Sequence, residues 1–454
     1  MTLQAPPPID DFQWTPQPAA FQFLGDCCDA FLQACPFAAQ LAARMRDETG
    51  TRFIDWIDHI TLPRTDPRAA RVDQVGYRAA RPGQDVMINT SGMFPPIRLS
   101  DGPFEIALKA ESVADFASVH GIQSPIEGAP LAQYRRLVAC DCHDTRLSII
   151  ERHGFAGFEG ATSDPASAIA RLKHLEAFRT RRRDFSDDAA GFQHAAGLVD
   201  AAIADLGRDL ACDLWFAAER EYWQRRNHAA RVQKARQDRL GLGWANHDHL
   251  TYRSSRRNFK SLVAMWEKLG FHCRERFYAG REAGWGAQVM EQPVTGIITF
   301  NDVDLTPDEL MGDFSHDGLQ EQDRLGTVGL WCGLHGDSFL QAGMHHLEAQ
   351  FDFDSLRRQL EDEGNVRTMK PFTDFPYLRQ AFTEGERWAV RPERIQKLLD
   401  ASLITSEQAA QFREQGAIGS HLENLERNDG FKGFNQTGVS EIISATDPRK
   451  QVRQ

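Results

Sequence analysis

Two histidines in this sequence occur in nearly the same local context, and their side chains could bind a metal ion together. The pattern Asp-His-aliphatic-Thr occurs at 58–61 and again at 248–251, which places His59 and His249 190 positions apart. Each copy is rich in β-branched or aromatic residues and opens a segment with β-strand character. A repeat of this kind indicates two related modules. We expect their sheets to form one shared concave surface on which both imidazoles bind the same ion.

Two imidazoles alone make a poor metal site, so a carboxylate from another strand should complete it. Side chains alternate along a strand, so His346, Glu348 and Gln350 would share a polar interior face, and Glu348 is the preferred third ligand. Glu291 and His346 remain alternatives for that position, and His247 competes with His249 in the second copy. Two histidines and one carboxylate on rigid strands leave adjacent coordination positions open, an arrangement suited to Fe(II) and O₂.

Polar side chains that follow the two histidines are candidates for substrate binding. Thr251 and Arg253 share the face of His249, and Arg64 follows the first histidine. Arginine binds carboxylates through paired hydrogen bonds, so both arginines could hold a small acidic substrate in place for catalysis. Structural salt bridges are the alternative role for both.

The elements that must position these residues alternate between β-rich and helical stretches, which predicts an α+β fold with two β-rich modules that form a shared barrel-like sheet. One helix is predicted at 261–269, where apolar residues recur at helical spacing before Gly270. The predicted organisation is a helical N-terminal segment at 1–50, a first β-rich module at 51–115, a helical insertion at 116–243, a second β-rich module at 244–365, and a helical C-terminal segment and tail at 366–454.

The composition excludes several classes of protein. The 454 residues carry a net charge of -12, which argues against a nucleic-acid-binding protein. No apolar run is long enough to span a membrane, and the N-terminus has no signal-peptide pattern. We therefore expect a cytoplasmic protein that acts on a small molecule.

The eight cysteines are too few for a disulfide scaffold. Cys140-Asp-Cys142-His143 is their one metal-like cluster, but a structural zinc site usually needs a second cysteine pair and none follows. Buried or incidental thiols are the preferred interpretation.

With these residues in view, the chain resembles a known superfamily. An Asp-His-Leu-Thr strand, a helix that ends in Leu-Gly-Phe at 269–271 and several further strands resemble the βαβββ module of the vicinal oxygen chelate superfamily. More narrowly, the order of parts over 51–355 resembles the 2-oxoadipate dioxygenase/decarboxylase family. The matching parts are His59 with Arg64, Val75-Gly76-Tyr77, the helices of about 116–240, His249 to Arg253, and Glu348. The first module departs from that pattern because only residues 64–73 separate its first two strands, which leaves no room for an obvious helix.

The resemblance implies a non-haem Fe(II) enzyme that decarboxylates and hydroxylates a small 2-oxo acid, such as 2-oxoadipate, to a 2-hydroxy acid with O₂. It implies His59, His249 and Glu348 as metal ligands, and Arg64 and Arg253 as carboxylate-binding residues. Two other functions are compatible with the same residues: an O₂-independent metal-dependent lyase or isomerase, and a non-catalytic binding protein.

Overall fold

The protein contains two mixed β-sheets surrounded by helices, which confirms the predicted α+β class. The computed structural model describes residues 13–81, 83–160, 165–435 and 447–449. Within these ranges no helix is both long enough and apolar enough to cross a membrane.

The first sheet is formed by the N-terminal strands, in the spatial order β2-β3-β4-β1-β5-β8-β7-β6. Its central strands β1 and β5 are antiparallel to each other, and each pairs in parallel with the last strand of its own module, β4 or β8. The strands of this sheet are β1 (Ile57–Pro63), β2 (Arg78–Ala79), β3 (Val86–Ile88), β4 (Ile97–Ser100), β5 (Phe104–Lys109), β6 (Ile126–Glu127), β7 (Tyr134–Cys142) and β8 (Thr145–Arg152).

The second sheet repeats this topology in the order β10-β11-β12-β9-β13-β17-β15-β14, with β16 paired to β17. Here β9 and β13 are the antiparallel central strands, β12 runs parallel to β9, and β17 runs parallel to β13. The strands of this sheet are β9 (His247–Arg253), β10 (His272–Tyr278), β11 (Trp285–Glu291), β12 (Ile298–Asp304), β13 (His346–Gln350), β14 (Thr373–Phe375), β15 (Leu378–Phe382), β16 (Glu386–Trp388) and β17 (Ala417–Arg427).

The helices pack around the two sheets. Helices α1 and α2 share a core with the first sheet, and α5, α6, α8 and α10 share one with the second. The helices are α1 (Pro18–Ala34), α2 (Pro36–Arg44), α3 (Val113–His120), α4 (Pro165–Arg179), α5 (Asp188–Leu206), α6 (Arg208–Gln224), α7 (His228–Asp238), α8 (Phe259–Lys268), α9 (Thr327–His335), α10 (Phe353–Gly364), α11 (Pro392–Asp400) and α12 (Ser406–Gln415).

Each sheet is therefore a pair of modules, and the described residues hold four in all. In the module that begins at β9, helix α8 follows the first strand and three strands complete a βαβββ unit. In the module that begins at β1, two short 3₁₀ turns replace that helix, as the short spacing predicted. The strands that carry His59 and His249 lie in different sheets, whereas we expected them to share one.

Helix α8 shows how an apolar stripe fixes a helix on its sheet. The helix was predicted at 261–269 and spans Phe259–Lys268, and its Trp266 ring is fully buried. The Trp266 indole N–H donates to Asn301 Oδ1 of β12 at 2.7 Å, which satisfies the one polar atom of the ring. Gly270 follows with a φ of 94°, a left-handed conformation that ends the helix at little cost.

Two stretches predicted to be helical contain strands instead. Strands β6 to β8 occupy part of the predicted insertion, and β14 to β17 occupy much of the predicted C-terminal segment. Their local sequence is weakly patterned, and these strands are stabilised by pairing with β5 and β13, which are distant in sequence. The domain boundaries themselves stay a prediction.

Candidate metal centre

Three central strands of the second sheet bring acidic and histidine side chains onto one face. In the register of β13, Glu348 lies opposite His249 of β9 on one side and opposite Glu423 of β17 on the other. His346 lies two residues before Glu348 and is paired with His421 of β17. Because paired residues in a sheet share a face, all five side chains point the same way.

The carboxylate of Glu348 is the centre of this cluster. Its Oε1 lies 2.9 Å from His249 Nε2 and 2.5 Å from His346 Nε2, and it accepts a 3.1 Å hydrogen bond from the Thr251 hydroxyl. One ligand atom each from His249, Glu348 and Glu423 lie within 4.8 Å of one another, close enough to hold a single metal ion. All three residues are buried.

Burial and mutual charge perturb every acidic and basic group in the cluster. Burial lowers the pKa of His249, but the Glu348 and Asp248 carboxylates outweigh it and raise that pKa to about 8. Burial raises the pKa of Glu348, and the two histidines reverse this and hold it well below its usual range. Burial and the neighbouring Glu348 charge raise the pKa of Glu423 well above its ordinary value. A bound cation would favour ionisation of both carboxylates.

The side chains present fit a divalent metal ion. Glu348 Oε2 and His421 Nε2 are buried, and neither has a hydrogen-bond partner among the described residues. Buried polar atoms are rarely left unpaired, so these atoms point to a bound species that satisfies them. Imidazole nitrogen and carboxylate oxygen are the donors that Fe(II), Mn(II) and Zn(II) accept.

His249 is held in position from behind by a charged pair. Asp248 Oδ2 lies 2.9 Å from His249 Nδ1, which leaves Nε2 directed at the cluster. Arg427, the last residue of β17, donates to both oxygens of Asp248 at 2.8 and 3.1 Å. A histidine ligand that is hydrogen-bonded through its second nitrogen has a fixed tautomer and ring orientation.

We expect Asp248→Asn to lower metal affinity by about 10- to 100-fold, because the His249 ring loses the partner that orients it. Metal affinity measured by competition with a chromophoric chelator checks this. Asp58→Asn in the first sheet is the matched control, since Asp58 contacts His59 and Arg152 in the same way. Both variants remove the charged partner of an arginine, Arg427 or Arg152, and should lose stability, but only Asp248→Asn should lose metal. Equal metal loss in both variants would contradict the assignment.

The cluster lies at the end of a pocket with aromatic walls and one basic side chain. The walls include six aromatic side chains: Phe277, Trp285, Phe300, Phe372, Phe382 and Phe434. Arg253 is the one lysine or arginine that lines this pocket among the described residues, and its Nε lies 3.5 Å from Asp302 Oδ2. Burial raises the pKa of Asp302 to about 7, although the Arg253 charge opposes the rise. The Arg253 charge is therefore only partly balanced at neutral pH.

The structure brings four of the six predicted site residues to this pocket. His249, Thr251, Arg253 and Glu348 all line it. Arg64 does not, because its side chain is 44% exposed and forms ion pairs with Asp85 and Asp101 at the surface of the first sheet. The predicted carboxylate-binding role of Arg64 is replaced by a surface ion pair, which is the alternative that the sequence left open.

His59 is not part of the cluster, which corrects the predicted pairing of His59 with His249. It lies on β1 of the first sheet, where its Nδ1 is 2.6 Å from Asp58 Oδ1 and its ring packs edge-on against Phe158. The two histidines are separated because their strands pair with different partners. Strand β1 pairs with β5 at the centre of the first sheet, and β9 pairs with β13 at the centre of the second.

The alternatives left open by the sequence divide in the same way. His346 Nε2 lies 2.5 Å from Glu348 Oε1, so its role as a metal ligand stays a prediction. Glu291 instead pairs with Lys432 at 3.2 Å, outside the pocket lining. His247 also lies outside that lining; burial lowers its pKa to about 4, and its Nδ1 is 3.2 Å from the Trp244 carbonyl oxygen.

Glu423 was missed, although the sequence contains a signal for it. The tripeptide His-Leu-Glu occurs at 346–348 and again at 421–423. The two copies lie side by side in register on β13 and β17. A second repeat in the sequence relates the two sheets to each other. The pattern Gly-Phe-x-Gly-Phe occurs at 154–158 and at 430–434, after the last strand of each sheet.

These patterns show that the two sheets share their supporting contacts. Phe158 packs edge-on against His59 with ring centroids 4.9 Å apart, and Phe434 packs edge-on against His249 at 5.1 Å. The first glycine of each pattern has a left-handed φ, 59° for Gly154 and 58° for Gly430. Both histidines are thus held by the same arrangement of aspartate, arginine and aromatic ring.

The sheets differ in the residues that face the histidine. Ala107 lies opposite His59 in β5, at the position that Glu348 has in β13. Ser148 is the β8 partner of Ala107, where β17 has Glu423. The first sheet therefore keeps the histidine and its supports but has neither of the two carboxylates.

Comparisons with known proteins give only weak likenesses. No protein-family profile matches the chain, and no curated protein matches it. Among solved structures, it is similar to a 4-hydroxymandelate synthase mutant from Streptomyces coelicolor, with 12% identity, 87% of this chain and 99% of that chain covered, and a TM-score of 0.28. A putative glyoxalase superfamily protein from Ralstonia eutropha JMP134 matches at 12% identity, covering 59% of this chain and 96% of that one, with a TM-score of 0.31. Methylmalonyl-CoA epimerase from Mycobacterium tuberculosis matches at 12% identity, over 40% and 88% of the two chains, with a TM-score of 0.23. At these TM-scores the likenesses support no inference about activity.

Proposed function

We propose that this protein is a non-haem Fe(II)-dependent dioxygenase that converts a small 2-oxo acid to a 2-hydroxy acid with loss of CO₂. The observation that carries the proposal is the buried group of His249, Glu348 and Glu423, which faces a pocket containing an arginine. Three protein donors on adjacent strands leave coordination positions open for a chelating substrate and O₂. His346, bonded to Glu348, is available as a further donor.

The pocket favours a monocarboxylate with an apolar side chain over 2-oxoadipate. A dicarboxylate would bury two negative charges, and when Arg253 pairs with the carboxylate that chelates the metal, the second carboxylate has no basic partner among the described residues of the pocket. Arg253 can pair with one carboxylate, and the second arginine expected for this role, Arg64, lies at the surface. The six aromatic side chains that line the rest of the pocket suit an aromatic or branched aliphatic group.

The chain's own residues bind the substrate, orient it and exclude water. Arg253 would hold the substrate carboxylate. Partial protonation of Asp302 leaves the positive charge of the Arg253 guanidinium available for it. The aromatic walls keep water from the reacting carbon, which strengthens the electrostatic contacts inside the pocket. Thr251 holds Glu348 in place as a ligand, and Asp248 does the same for His249. When bound, Fe(II) supplies O₂ activation and polarises the 2-oxo group.

The overall reaction balances without a second organic substrate. A 2-oxo acid R–CH₂–CO–COO⁻ and one O₂ give R–CHOH–COO⁻ and one CO₂, so both electron pairs that reduce O₂ come from the substrate. No separate 2-oxoglutarate is required. This stoichiometry separates the proposed enzyme from those that consume a co-substrate.

Oxygen consumption tests the proposal. Protein reconstituted anaerobically with Fe(II) should take up O₂ only when a 2-oxo acid is added, with one CO₂ released per O₂. Within a panel of 2-oxo acids, those with aromatic or branched side chains should give a higher kcat/KM than 2-oxoadipate. A higher kcat/KM for 2-oxoadipate would reverse the substrate assignment. Turnover under argon would instead support a metal-dependent lyase or isomerase at the same site.

A further inference from the structure

Three cysteines from two distant parts of the chain meet beside the first sheet. Cys35 lies at the junction of α1 and α2, and Cys140 and Cys142 lie on β7. One sulfur atom from each lie within 4.8 Å of one another. The sequence supplies only the Cys140 and Cys142 pair, so the third thiol is a contribution of the fold.

The three thiols are shielded from solvent. Cys35 is fully buried, and Cys140 and Cys142 are partly buried. None of the three is in a disulfide. A shielded position lined by three sulfur atoms suits a soft metal ion.

The geometry of the β7 pair favours a shared ion over a disulfide. Cys140 and Cys142 are two residues apart on one strand, and their sulfur atoms are 3.0 Å apart. Residues at that spacing have Cα atoms about 6.6 Å apart, at the far limit for an unstrained disulfide. Two thiolates on one tetrahedral ion are about 3.8 Å apart, which a small rotation of each side chain would reach.

We propose that Cys35, Cys140 and Cys142 bind one thiophilic d¹⁰ metal ion, Zn(II) or Cu(I), and thereby tie the N-terminal helices to the first sheet. Thiolate ligands select these ions over Mg(II) or Mn(II). This site is separate from the cluster at His249, and it does not depend on the proposed dioxygenase activity.

The other candidate groups outside the pocket do not share these features. Ligand atoms of Glu267, Cys273 and His316 also lie within 4.8 Å of one another, but Glu267 and His316 are exposed to solvent. His316 already pairs with Glu267 and with Asp313 at 2.8 Å each. That group is explained by ordinary surface ion pairs.

Metal titration of the reduced full-length protein tests the proposal. Cd(II), used as a probe for Zn(II), should give the reduced, chelator-treated protein a thiolate-to-metal charge-transfer absorption whose amplitude corresponds to one thiolate-bound Cd(II) per chain, whatever further Cd(II) binds at the His249 cluster. Cu(I) held in a competing chelator should be taken up at the same stoichiometry if the site selects that ion. Cys35→Ser and Cys140→Ser should each weaken binding by at least about 100-fold, since even the loss of an outer contact costs 10- to 100-fold. Cys273→Ser is the matched control and should leave the absorption unchanged.

A second measurement uses the native chain, so that it stays informative even when the cysteine variants fail to fold. Bound Cd(II) should protect Cys140 and Cys142 of the native chain from alkylation, as measured by mass spectrometry, and should leave the labelling of Cys273 unchanged. The charge-transfer absorption should persist in His249→Ala, which separates this site from the proposed catalytic centre. The proposal would be overturned if the reduced native chain showed no such absorption. It would also be overturned if Cys140 and Cys142 formed a disulfide with each other and the two thiols bound no metal once that bond was reduced.

Discussion

His249→Ala should lower the affinity for Fe(II) by more than about 100-fold and abolish substrate-dependent O₂ uptake, whereas His59→Ala should retain both. His249 Nε2 is one of three ligand atoms of the cluster, and loss of a ligand costs more than the 10- to 100-fold expected for an outer contact. His59 has the same sequence context but faces Ala107 instead of a carboxylate. Metal content by elemental analysis and an oxygen electrode measure the two effects.

The comparison is informative because the two histidines have equivalent supports. Each is hydrogen-bonded to the preceding aspartate, and each packs against the last ring of a Gly-Phe-x-Gly-Phe pattern. Both alanine variants should therefore lose similar stability, which thermal unfolding would record. If His59→Ala lost the metal and His249→Ala kept it, the assignment of the site to the second sheet would be wrong.

Replacing Arg253 by methionine should reduce kcat/KM for a 2-oxo acid by about 10- to 150-fold, the equivalent of a lost hydrogen bond to a charged group, about 1.5–3 kcal/mol. Methionine keeps much of the volume of the side chain while it removes the charge. The loss should appear mainly in KM if the arginine binds the substrate and transition state equally. Steady-state kinetics with the preferred 2-oxo acid measures the effect.

Arg64→Met is the matched control for this prediction. Arg64 is the arginine that follows His59, and its guanidinium pairs with Asp85 at the surface. Exposed ion pairs contribute little to stability, so this variant should keep both its fold and its kinetics. A comparable loss of activity in Arg64→Met would show that the first sheet contributes to the active site after all.

The duplication also explains why a protein of this length has one cluster of this type among its described residues. The register that places Glu348 and Glu423 beside His249 places Ala107 and Ser148 beside His59. Besides Asp58, which supports the ring, Glu105 is a further carboxylate near His59, and it is paired with Arg136 at 2.8 Å. A metal ion at His59 would therefore meet neither the donors nor the negative charge present in the second sheet.

The start of the glycine-rich stretch 433–438 contributes to the pocket. Phe434 and Asn435 line the pocket, and Phe434 packs against His249. The residues that follow, 436–446, lie outside the described residues. Phe434 and Asn435 therefore belong to the wall of the site.

The sequence alone was sufficient for the local features of this protein. Period-two patterning identified β9 and β13, and the apolar stripe at 261–269 identified α8, because these signals depend on near neighbours in the chain. The same patterning placed His249, Thr251, Arg253 and Glu348 on interior faces, and all four line the pocket.

Only the tertiary structure decided which strands are neighbours, and this changed the candidate site. Strand register joins Glu348 to Glu423 across 75 positions. It places His59 and His249 in different sheets, although the repeat predicted that they bind one ion together. The fold likewise brings Cys35 to Cys140 and Cys142. Strand pairing depends on hydrogen bonds and packing between distant segments, so two identical local patterns can fold into different sheets and acquire different neighbours.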